Sequence, residues 1–256
     1  MIELFVSDID GCLSEPYRPF DGPRLQELAA YVRVAGPVGG EGALPAFSIC
    51  SGRSLPYVEA MTQVLGLQVP VLFEAGAGRY DPETARVTWH PGFTVEVEAA
   101  IAQVRRWMIR ECLPGSTLMF DYSKRTQAGL AGAASGEIAA CLPRVEAYLT
   151  RRFPKLCAFH TAISIDVMAA HITKQEGLHW LGAHLGCRME HTAYIGDSNG
   201  DLGALQAVGY SFAPANATEA VKSSVRIVTD GRGLQGVLEA YRWCCAHNEA
   251  FRKKAS

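Results

Sequence analysis

The segment LFVSDIDGCLS places two acidic residues, Asp8 and Asp10, directly after a short apolar run that is typical of a buried strand. Residues i and i+2 of a strand point to the same side, so the two carboxylates would lie close together. Two close like charges are unfavourable unless a cation or a proton lies between them. The pair therefore indicates either an ordinary acidic turn or a site.

Polar clusters also follow two other apolar runs, at 46–50 and 193–195. Their members are Ser51, Gly52, Arg53, Asp197, Asn199 and Asp201. Because ligands of an open parallel sheet bind outside the carboxyl ends of its strands, we expect all three clusters to converge on one crevice. Carboxylates suit Mg²⁺, whereas a hydroxyl, backbone amides and a lysine suit a phosphoryl group. A carboxylate that touches both could attack phosphorus and form an aspartyl-phosphate.

The elements that must position these residues alternate between strand and helix at both ends of the chain. This alternation favours an α/β fold with a Rossmann-like, doubly wound parallel sheet. The middle of the chain has helical stripes, such as Val97, Ile101, Val104 and Met108, and segments of period two, which together indicate an α+β unit. We therefore predict a catalytic core at 1–78 and 170–256, and an inserted domain of antiparallel sheet and two helices at 79–169.

Composition limits the class of protein. The 256 residues are 48% hydrophobic and 20% charged with a net charge of −2, which suits a globular protein and gives no case for nucleic acid as a partner. No apolar run approaches the roughly 20 residues of a membrane span, and the N-terminus lacks a signal-peptide pattern. The eight cysteines form no C-x-x-C pair, so we expect reduced thiols in a cytoplasmic protein. We also expect the protein to be a monomer or a homodimer.

The motifs DIDGC, SGR, a lysine after the inserted unit, and GDSNGD resemble, in this order, the four motifs of the haloacid dehalogenase superfamily of phosphohydrolases. The resemblance covers nearly the whole chain. The insertion resembles the type IIB cap of the Cof-like branch, which includes mannosyl-3-phosphoglycerate and sucrose-phosphate phosphatases and phosphomannomutases. Within that branch, GDSNGD…APANAT is similar to the archaeal-type phosphoglycolate phosphatases.

The resemblance implies roles for the residues after the first strand and for a lysine. Asp8 would be the nucleophile and a Mg²⁺ ligand. Asp10 would be the general acid/base and would lend the metal its backbone carbonyl. Ser51 would bind the phosphoryl oxygens, and Lys174 would neutralise phosphate and orient Asp8. At the fourth motif, Asp197 would bind the metal with its side chain.

Further residues are expected to support the metal or to choose the substrate. Asp201 would support the metal by contacting the residues that bind it, or would bind it through water. The inserted domain should choose the substrate, because Asp166 occupies a place where Cof-like relatives carry an acid that meets sugar hydroxyls. The predicted substrate-binding residues are Gly52, Arg53, Lys124, Arg125, Asp166 and Asn199. Lys124 and Arg125 would suit a second anion on the substrate, or they are solvated loop charges.

The chain departs from the family pattern at three positions. Gly200 stands where relatives usually have Asn, and the sequence leaves open whether Asn199 takes over its hydrogen bonds. Ala75 stands where relatives often have Asn, and Cys12 replaces the usual Thr. None of these changes affects the expected nucleophile, acid/base or metal ligand.

The sequence therefore predicts a Mg²⁺-dependent phosphatase that acts on a small phosphorylated sugar or hydroxy acid through an aspartyl-phosphate. A phosphomutase on the same scaffold is one alternative. A catalytically idle protein that binds phosphorylated metabolites is another, although retention of both Asp8 and Asp10 speaks against it. A receiver domain is disfavoured by the insertion.

Overall fold

The structure, a computed structural model, describes residues 1–40, 42–132, 135–161 and 163–255. The chain divides into two compact units. The first, called the core unit here, comprises Met1–Thr88 and Thr173–Ser256. The second, called the inserted unit, comprises Trp89–Ile172.

The strands and helices fall into three stretches along the chain. The first stretch contains β1 (Leu4–Ser7), α1 (Gly22–Val32), β2 (Ala46–Ile49), α2 (Leu55–Leu65), β3 (Val71–Phe73), β4 (Gly78–Asp81) and β5 (Arg86–Trp89). The inserted stretch contains α3 (Val95–Glu111), β6 (Met119–Asp121), β7 (Ala128–Ala131), α4 (Ser135–Arg152), β8 (Leu156–His160) and β9 (Ser164–Ala169). The last stretch contains α5 (Lys174–Leu185), β10 (Thr192–Ile195), α6 (Leu202–Ala207), β11 (Tyr210–Ala213), α7 (Glu219–Lys222), β12 (Ile227–Val228) and α8 (Leu234–Ala255).

The core unit is built on a five-stranded parallel sheet in the order β12-β11-β10-β1-β2. All four residues of β1 are buried, as expected for a central strand that is apolar along its whole length. Ser7 of β1 lies beside Ile195 on one side and Ile49 on the other. The three strands therefore end at the same level, and the residues that follow them share one edge of the sheet.

The boundary of the inserted unit differs from the sequence prediction. The unit begins at Trp89 and ends at Ile172, rather than at 79 and 169. Residues 78–81 pair antiparallel with β3, and β5 follows β4 in the same three-stranded sheet. Since β3 itself joins β2 through a bridge between Cys50 and Leu72, the β4–β5 hairpin is attached to the core.

The inserted unit contains an antiparallel sheet in the order β6-β7-β9-β8, together with α3 and α4. Ile165 and Val167 of β9 are fully buried, as are Val104 of α3 and Val145 of α4. The alternate residues of β9 belong to the opposite face of the sheet, where Asp166 lies in register with Gly129 of β7. The predicted fold class, a parallel α/β core with an inserted α+β unit, is confirmed.

Three further features of the chain concern the C-terminal end of α8, the cysteines and the character of the helices. At the C-terminus, α8 continues to Ala255, and its last turn holds the exposed residues Arg252, Lys253 and Lys254, whose charges interact favourably with the negative end of the helix dipole. All eight cysteines are free thiols, and Cys157 is the most exposed. In the part of the chain that the structure describes, none of the helices has the length and apolar character of a membrane span.

Candidate active site

The candidate site begins where β1, β2 and β10 end. Asp8 directly follows β1, and its backbone N–H donates to the Ile195 carbonyl of β10 at 3.0 Å. On the other side, the Cys50 N–H donates to the Ser7 carbonyl at 3.0 Å, which places Ser51 near the end of β2, two residues beyond the strand. The polar clusters expected from the sequence thus follow three adjacent strands.

Lys174 is held between two carboxylates. Its Nζ lies 2.8 Å from Asp8 Oδ2 and 2.7 Å from Asp201 Oδ1, and all three side chains are at most 9% exposed. Burial alone would lower the pKa of Lys174, but the charges of Asp201 and Asp8 outweigh it and raise this pKa well above its usual value. The lysine therefore stays an ammonium and joins the first and the fourth motif.

The packing of α5 determines where this lysine lies. Lys174 is the first residue of α5, after the N-cap Thr173, whose hydroxyl accepts from Glu176 N–H at 3.3 Å. One turn along, Gly177 packs against Gly76, and a Cβ on either residue would overlap the backbone of the other. Gly76 also has φ +91°, a conformation that L side chains rarely adopt. The two glycines bring the helix close to the end of β3.

Asp201 is fully buried and accepts hydrogen bonds at both carboxylate oxygens. Oδ1 accepts from Lys174 Nζ and from the Tyr194 hydroxyl, each at 2.7 Å. Oδ2 accepts from Ser198 N–H at 3.1 Å and from Ser198 Oγ at 3.0 Å. Burial alone would raise the pKa of Asp201, but Lys174 and the other donors hold it below its usual value. These contacts favour the anionic form of Asp201, which anchors Lys174.

Asp197 completes a cluster of carboxylates. One oxygen from each of Asp8, Asp197 and Asp201 lies within 4.8 Å of the other two. Burial raises the pKa of Asp197 to about 7, and the charge of Asp201 adds to the effect. Burial likewise raises the pKa of Asp8 well above its usual value, although Lys174 opposes this. The cluster holds more negative charge than Lys174 alone offsets.

The loop after β1 is shaped around Asp197. Gly11 has φ +75°, and a Cβ on it would overlap the Asp197 carboxylate. The Gly11 carbonyl accepts from Asn216 Nδ2 at 2.8 Å, while Asn216 Oδ1 accepts from Gly233 N–H at 2.6 Å. Asn216 therefore ties the loop to the segment before α8.

Asp10 does not join the carboxylate cluster through its side chain. Arg53 Nε lies 2.7 Å from Asp10 Oδ2, and Arg53 Nη2 lies 2.6 Å from Asp10 Oδ1. The guanidinium also lies 4.8 Å from the ring centre of Tyr57 and 5.4 Å from that of Tyr17. Arg53, which the sequence predicts to bind substrate, thus forms a salt bridge with Asp10.

The remaining predicted residues of the core unit have structural contacts of their own. Ser51 is fully buried, and its Oγ accepts from Arg53 N–H at 3.2 Å. Gly52 has no atom within 4 Å of an added Cβ, so its backbone is open on that side. Asn199 is exposed and accepts from Thr218 Oγ1 at 3.3 Å, so its side chain is bonded away from Asp201.

The predicted residues of the inserted unit are paired. Lys124 Nζ lies 2.6 Å from Asp166 Oδ1 and 4.0 Å from Asp121 Oδ2. Arg125 Nε lies 2.9 Å from Glu98 Oε1, and its guanidinium lies 4.9 Å from the Trp89 ring centre. Both cations predicted to meet a second substrate anion therefore already have carboxylate partners.

Sequence reasoning missed two residues that contact the site. Tyr194 lies inside an apolar strand, where its ring suits the core, and only its position three residues before Asp197 could have drawn attention to its hydroxyl. Asn216 lies in APANAT, a segment that was recognised as similar to relatives but given no role. Its contact with Gly11 depends on tertiary structure that no local pattern reveals.

Comparisons with known proteins agree with this architecture. A family model described as haloacid dehalogenase-like hydrolase matches residues 137–240. A phosphoglycolate phosphatase of Methanopyrus kandleri is 25% identical over 239 residues, which are 93% of this chain and 94% of that protein.

Solved structures show the same fold. A Thermoplasma acidophilum protein aligns with a TM-score of 0.74 at 18% identity, over 95% of this chain and 98% of its own. The sucrose-phosphatase of Synechocystis, solved with sucrose and phosphate, aligns with a TM-score of 0.64, 16% identity and coverage of 97% and 99%. Together with the four motifs, these matches confirm the predicted resemblance to haloacid dehalogenase-like hydrolases and the predicted enzyme class, a phosphatase.

Proposed function

We propose that this protein is a Mg²⁺-dependent phosphomonoesterase that hydrolyses a small phosphorylated metabolite through an aspartyl-phosphate on Asp8. The contact of Lys174 with both Asp8 and Asp201 carries the proposal. It joins a buried carboxylate, able to act as a nucleophile, to a permanent positive charge of the kind that a phosphoryl group needs.

The donor set fits Mg²⁺. Three carboxylates within 4.8 Å of one another offer only oxygen ligands, which Mg²⁺ prefers. The raised pKa values of Asp8 and Asp197 mark charges that are unfavourable where they lie without a cation. Asp8 and Asp197 would hold the ion, with Asp201 in support because its oxygens already accept four hydrogen bonds, and with the predicted Asp10 carbonyl. When bound, Mg²⁺ supplies positive charge next to the transferring phosphoryl group.

The contacts of the Asp8 carboxylate support its proposed role as the nucleophile. Its Oδ1 accepts from Ile9 N–H at 2.7 Å, while Oδ2 contacts Lys174, so the carboxylate has one orientation. Attack by an Asp8 oxygen forms a bond to phosphorus and breaks the bond between phosphorus and the ester oxygen. A water molecule then attacks phosphorus, which releases inorganic phosphate and restores the carboxylate.

Asp10 is proposed as the general acid/base. In the first step it gives a proton to the leaving ester oxygen, and in the second it takes one from water. Its pairing with Arg53 fixes the direction of the carboxylate. Ser51 and the open backbone at Gly52 are proposed to bind phosphoryl oxygens.

The substrate class is proposed from the relatives and from the inserted unit. The phosphoglycolate phosphatase of Methanopyrus kandleri favours a phosphorylated hydroxy acid, and the sucrose-phosphatase neighbour keeps sugar phosphates in consideration. We propose that Lys124, Arg125 and Asp166 contribute to the choice. Because Lys124 and Arg125 are each paired with an acid, a second substrate anion must compete with a carboxylate of the protein.

A panel of phosphorylated metabolites tests the function. It is assayed for phosphate release with Mg²⁺ and with a chelator, using wild type and Asp8→Asn. Wild type should hydrolyse some members, the chelated sample should not, and Asp8→Asn should lose activity by roughly 10⁴-fold or more. Activity that survives in Asp8→Asn excludes the aspartyl-phosphate route. A requirement for a sugar bisphosphate, with transfer to sugar instead of water, identifies a phosphomutase.

A further inference from the structure

A tyrosine hydroxyl lies inside the apolar core next to the proposed catalytic residues. Tyr194 belongs to β10, is fully buried, and packs in a cluster with Leu4, Val6 and Leu178. Burying a phenol hydroxyl is unfavourable unless it finds a hydrogen-bond partner. The partner here is not a carbonyl of the sheet but the carboxylate of Asp201. The Tyr194 hydroxyl donates to Asp201 Oδ1 at 2.7 Å.

The acceptor of this hydrogen bond is the same oxygen that binds Lys174. Asp201 Oδ1 accepts from Tyr194 and from Lys174 Nζ, both at 2.7 Å. A carboxylate oxygen has two lone pairs, so the two donors together fill Oδ1. The two Ser198 donors occupy Oδ2. The plane of the carboxylate is therefore fixed by donors on both oxygens.

The donors on Asp201 affect how the Lys174 ammonium is shared between Asp201 and Asp8. The ammonium binds Asp201 at 2.7 Å and Asp8 at 2.8 Å, so small changes in either carboxylate alter the balance. Without the phenol hydroxyl, Asp201 Oδ1 would have a free lone pair in a buried place, and Lys174 would be the remaining donor to this oxygen among the described residues. The ammonium would then move toward Asp201 and away from Asp8.

We propose that Tyr194 is a positioning residue, whose hydroxyl occupies the second acceptor site of Asp201 Oδ1 and thereby keeps Lys174 shared with Asp8. The inference rests on the proposed function, in which Asp8 is the nucleophile. Tyr194 does not touch the phosphoryl group in this account. It acts through Asp201 and Lys174 on the orientation of Asp8.

The test compares two buried tyrosines. Tyr194→Phe removes the hydroxyl and keeps the ring. Tyr241→Phe is the matched control, because Tyr241 is also fully buried and its hydroxyl donates to the Pro45 carbonyl at 2.7 Å, a partner outside the carboxylate cluster. Thermal unfolding and steady-state kinetics are measured for both, on a substrate that wild type hydrolyses.

Both variants should lose thermal stability to a similar extent, since each loses one buried hydrogen bond. Only Tyr194→Phe should lose kcat, by about tenfold, with KM unchanged. In an Asp201→Asn background, the same Tyr194→Phe change should have little further effect on kcat, because its acceptor is no longer an anion.

The possible results separate the two levels of the proposal. A wild-type protein that releases no phosphate from any substrate overturns the proposed function and this inference with it. An active wild type with equal kcat in Tyr194→Phe, or with equal kcat losses in both tyrosine variants, overturns the inference alone. A Tyr194→Phe variant that does not fold also overturns it, because the hydroxyl is then a structural requirement.

Discussion

Arg53 and Asp10 form a two-pronged ion pair, with Nε 2.7 Å from Oδ2 and Nη2 2.6 Å from Oδ1. The two side chains are 24% and 33% exposed, so solvent screens the pair and its contribution to stability is small. Its geometric effect is larger, because two parallel hydrogen bonds set both the position and the plane of the carboxylate. A fixed carboxylate plane favours the proton transfers that are proposed for Asp10.

Replacing Arg53 by lysine should therefore reduce activity without reducing stability. Lysine keeps the charge but offers a point donor instead of a planar fork, so Asp10 is no longer held in one plane. We expect kcat to fall roughly 10- to 100-fold, with little change in the unfolding temperature. Arg24→Lys is the control, because Arg24 pairs with Asp21 on the surface. Full activity in Arg53→Lys would mean that the guanidinium does not orient the acid/base.

Removing the ammonium of Lys174 should affect stability as well as activity. In Lys174→Met, the buried Asp8 and Asp201 lose the charge between them, and breaking a buried pair by removing one partner costs about 3 kcal/mol or more. Urea unfolding measures this loss. Mg²⁺ should restore part of it, because a cation offsets the same repulsion.

The matched control for Lys174→Met is Lys222→Met. Lys222 pairs with Glu219, which is 90% exposed, so its loss should change the free energy of unfolding by less than about 1 kcal/mol. Equal losses in the two variants would show that Lys174 is not a buried charge between two carboxylates.

The loop glycine next to Asp197 gives a steric test. Gly11→Ala combines an unfavourable positive φ, which costs about 1–2 kcal/mol, with a Cβ that displaces the Asp197 carboxylate. Gly39→Ala is the control, since Gly39 has nearly the same φ, +74°, but nothing within 4 Å of an added Cβ. Both variants should lose stability, and only Gly11→Ala should lose phosphatase activity. Activity retained in Gly11→Ala would argue against a role for Asp197 in the site.

How far the sequence predicts this site depends on what kind of contact is involved. Asp8, Ser51 and Asp197 could be placed together because parallel strands end at a common edge and each residue lies within two residues of the end of a strand. The pairs Arg53–Asp10 and Lys124–Asp166 could not be predicted, since each joins residues far apart in the chain through flexible side chains. Neither partner carries a local signal for the other.

The fold shows the same division. Continuous apolar runs predicted β1, β2 and β10 of the core unit, whereas β7 and β8 of the inserted unit were not predicted. The β4–β5 hairpin was missed, so the inserted unit was expected to begin too early. Glu74 and Ala75, just before the hairpin, have positive φ values of 48° and 58°. Glutamate and alanine rarely adopt this conformation, so the sequence did not indicate a turn here. At Ala75 the Asn usual in relatives would fit that conformation better.

The carboxylate cluster predicts an effect of pH. Burial raises the pKa of Asp197 from 3.8 to about 7, and that of Asp8 rises in the same direction. A carboxyl group whose pKa is higher in the folded state binds its proton more tightly there, so its contribution favours folding at low pH. That contribution is lost as pH rises from about 4 through about 7.

Thermal unfolding in chelator should therefore show stability falling across this window, and the fall should be smaller in Asp197→Asn, which has no carboxyl group to titrate. Mg²⁺ competes with the same protons, so the rise in unfolding temperature that it causes should be larger at pH 8 than at pH 6. A Mg²⁺ effect that is equal at both pH values would contradict binding by Asp8 and Asp197.

The paired cations of the inserted unit predict a change in substrate choice. In Asp166→Asn, Lys124 loses the anionic partner at 2.6 Å, and Asp121 at 4.0 Å is the carboxylate that remains near it among the described residues, so its charge becomes more available to a ligand. Hydrolysis of substrates with a second anion should then gain relative to neutral sugar phosphates, by about tenfold in the ratio of kcat/KM. Glu98→Gln is the parallel variant, because it removes the carboxylate charge 2.9 Å from Arg125 Nε while the contact with the Trp89 ring stays. A ratio that shifts in only one variant identifies which cation acts on the substrate, whereas an unchanged ratio in both would place substrate choice elsewhere in the chain.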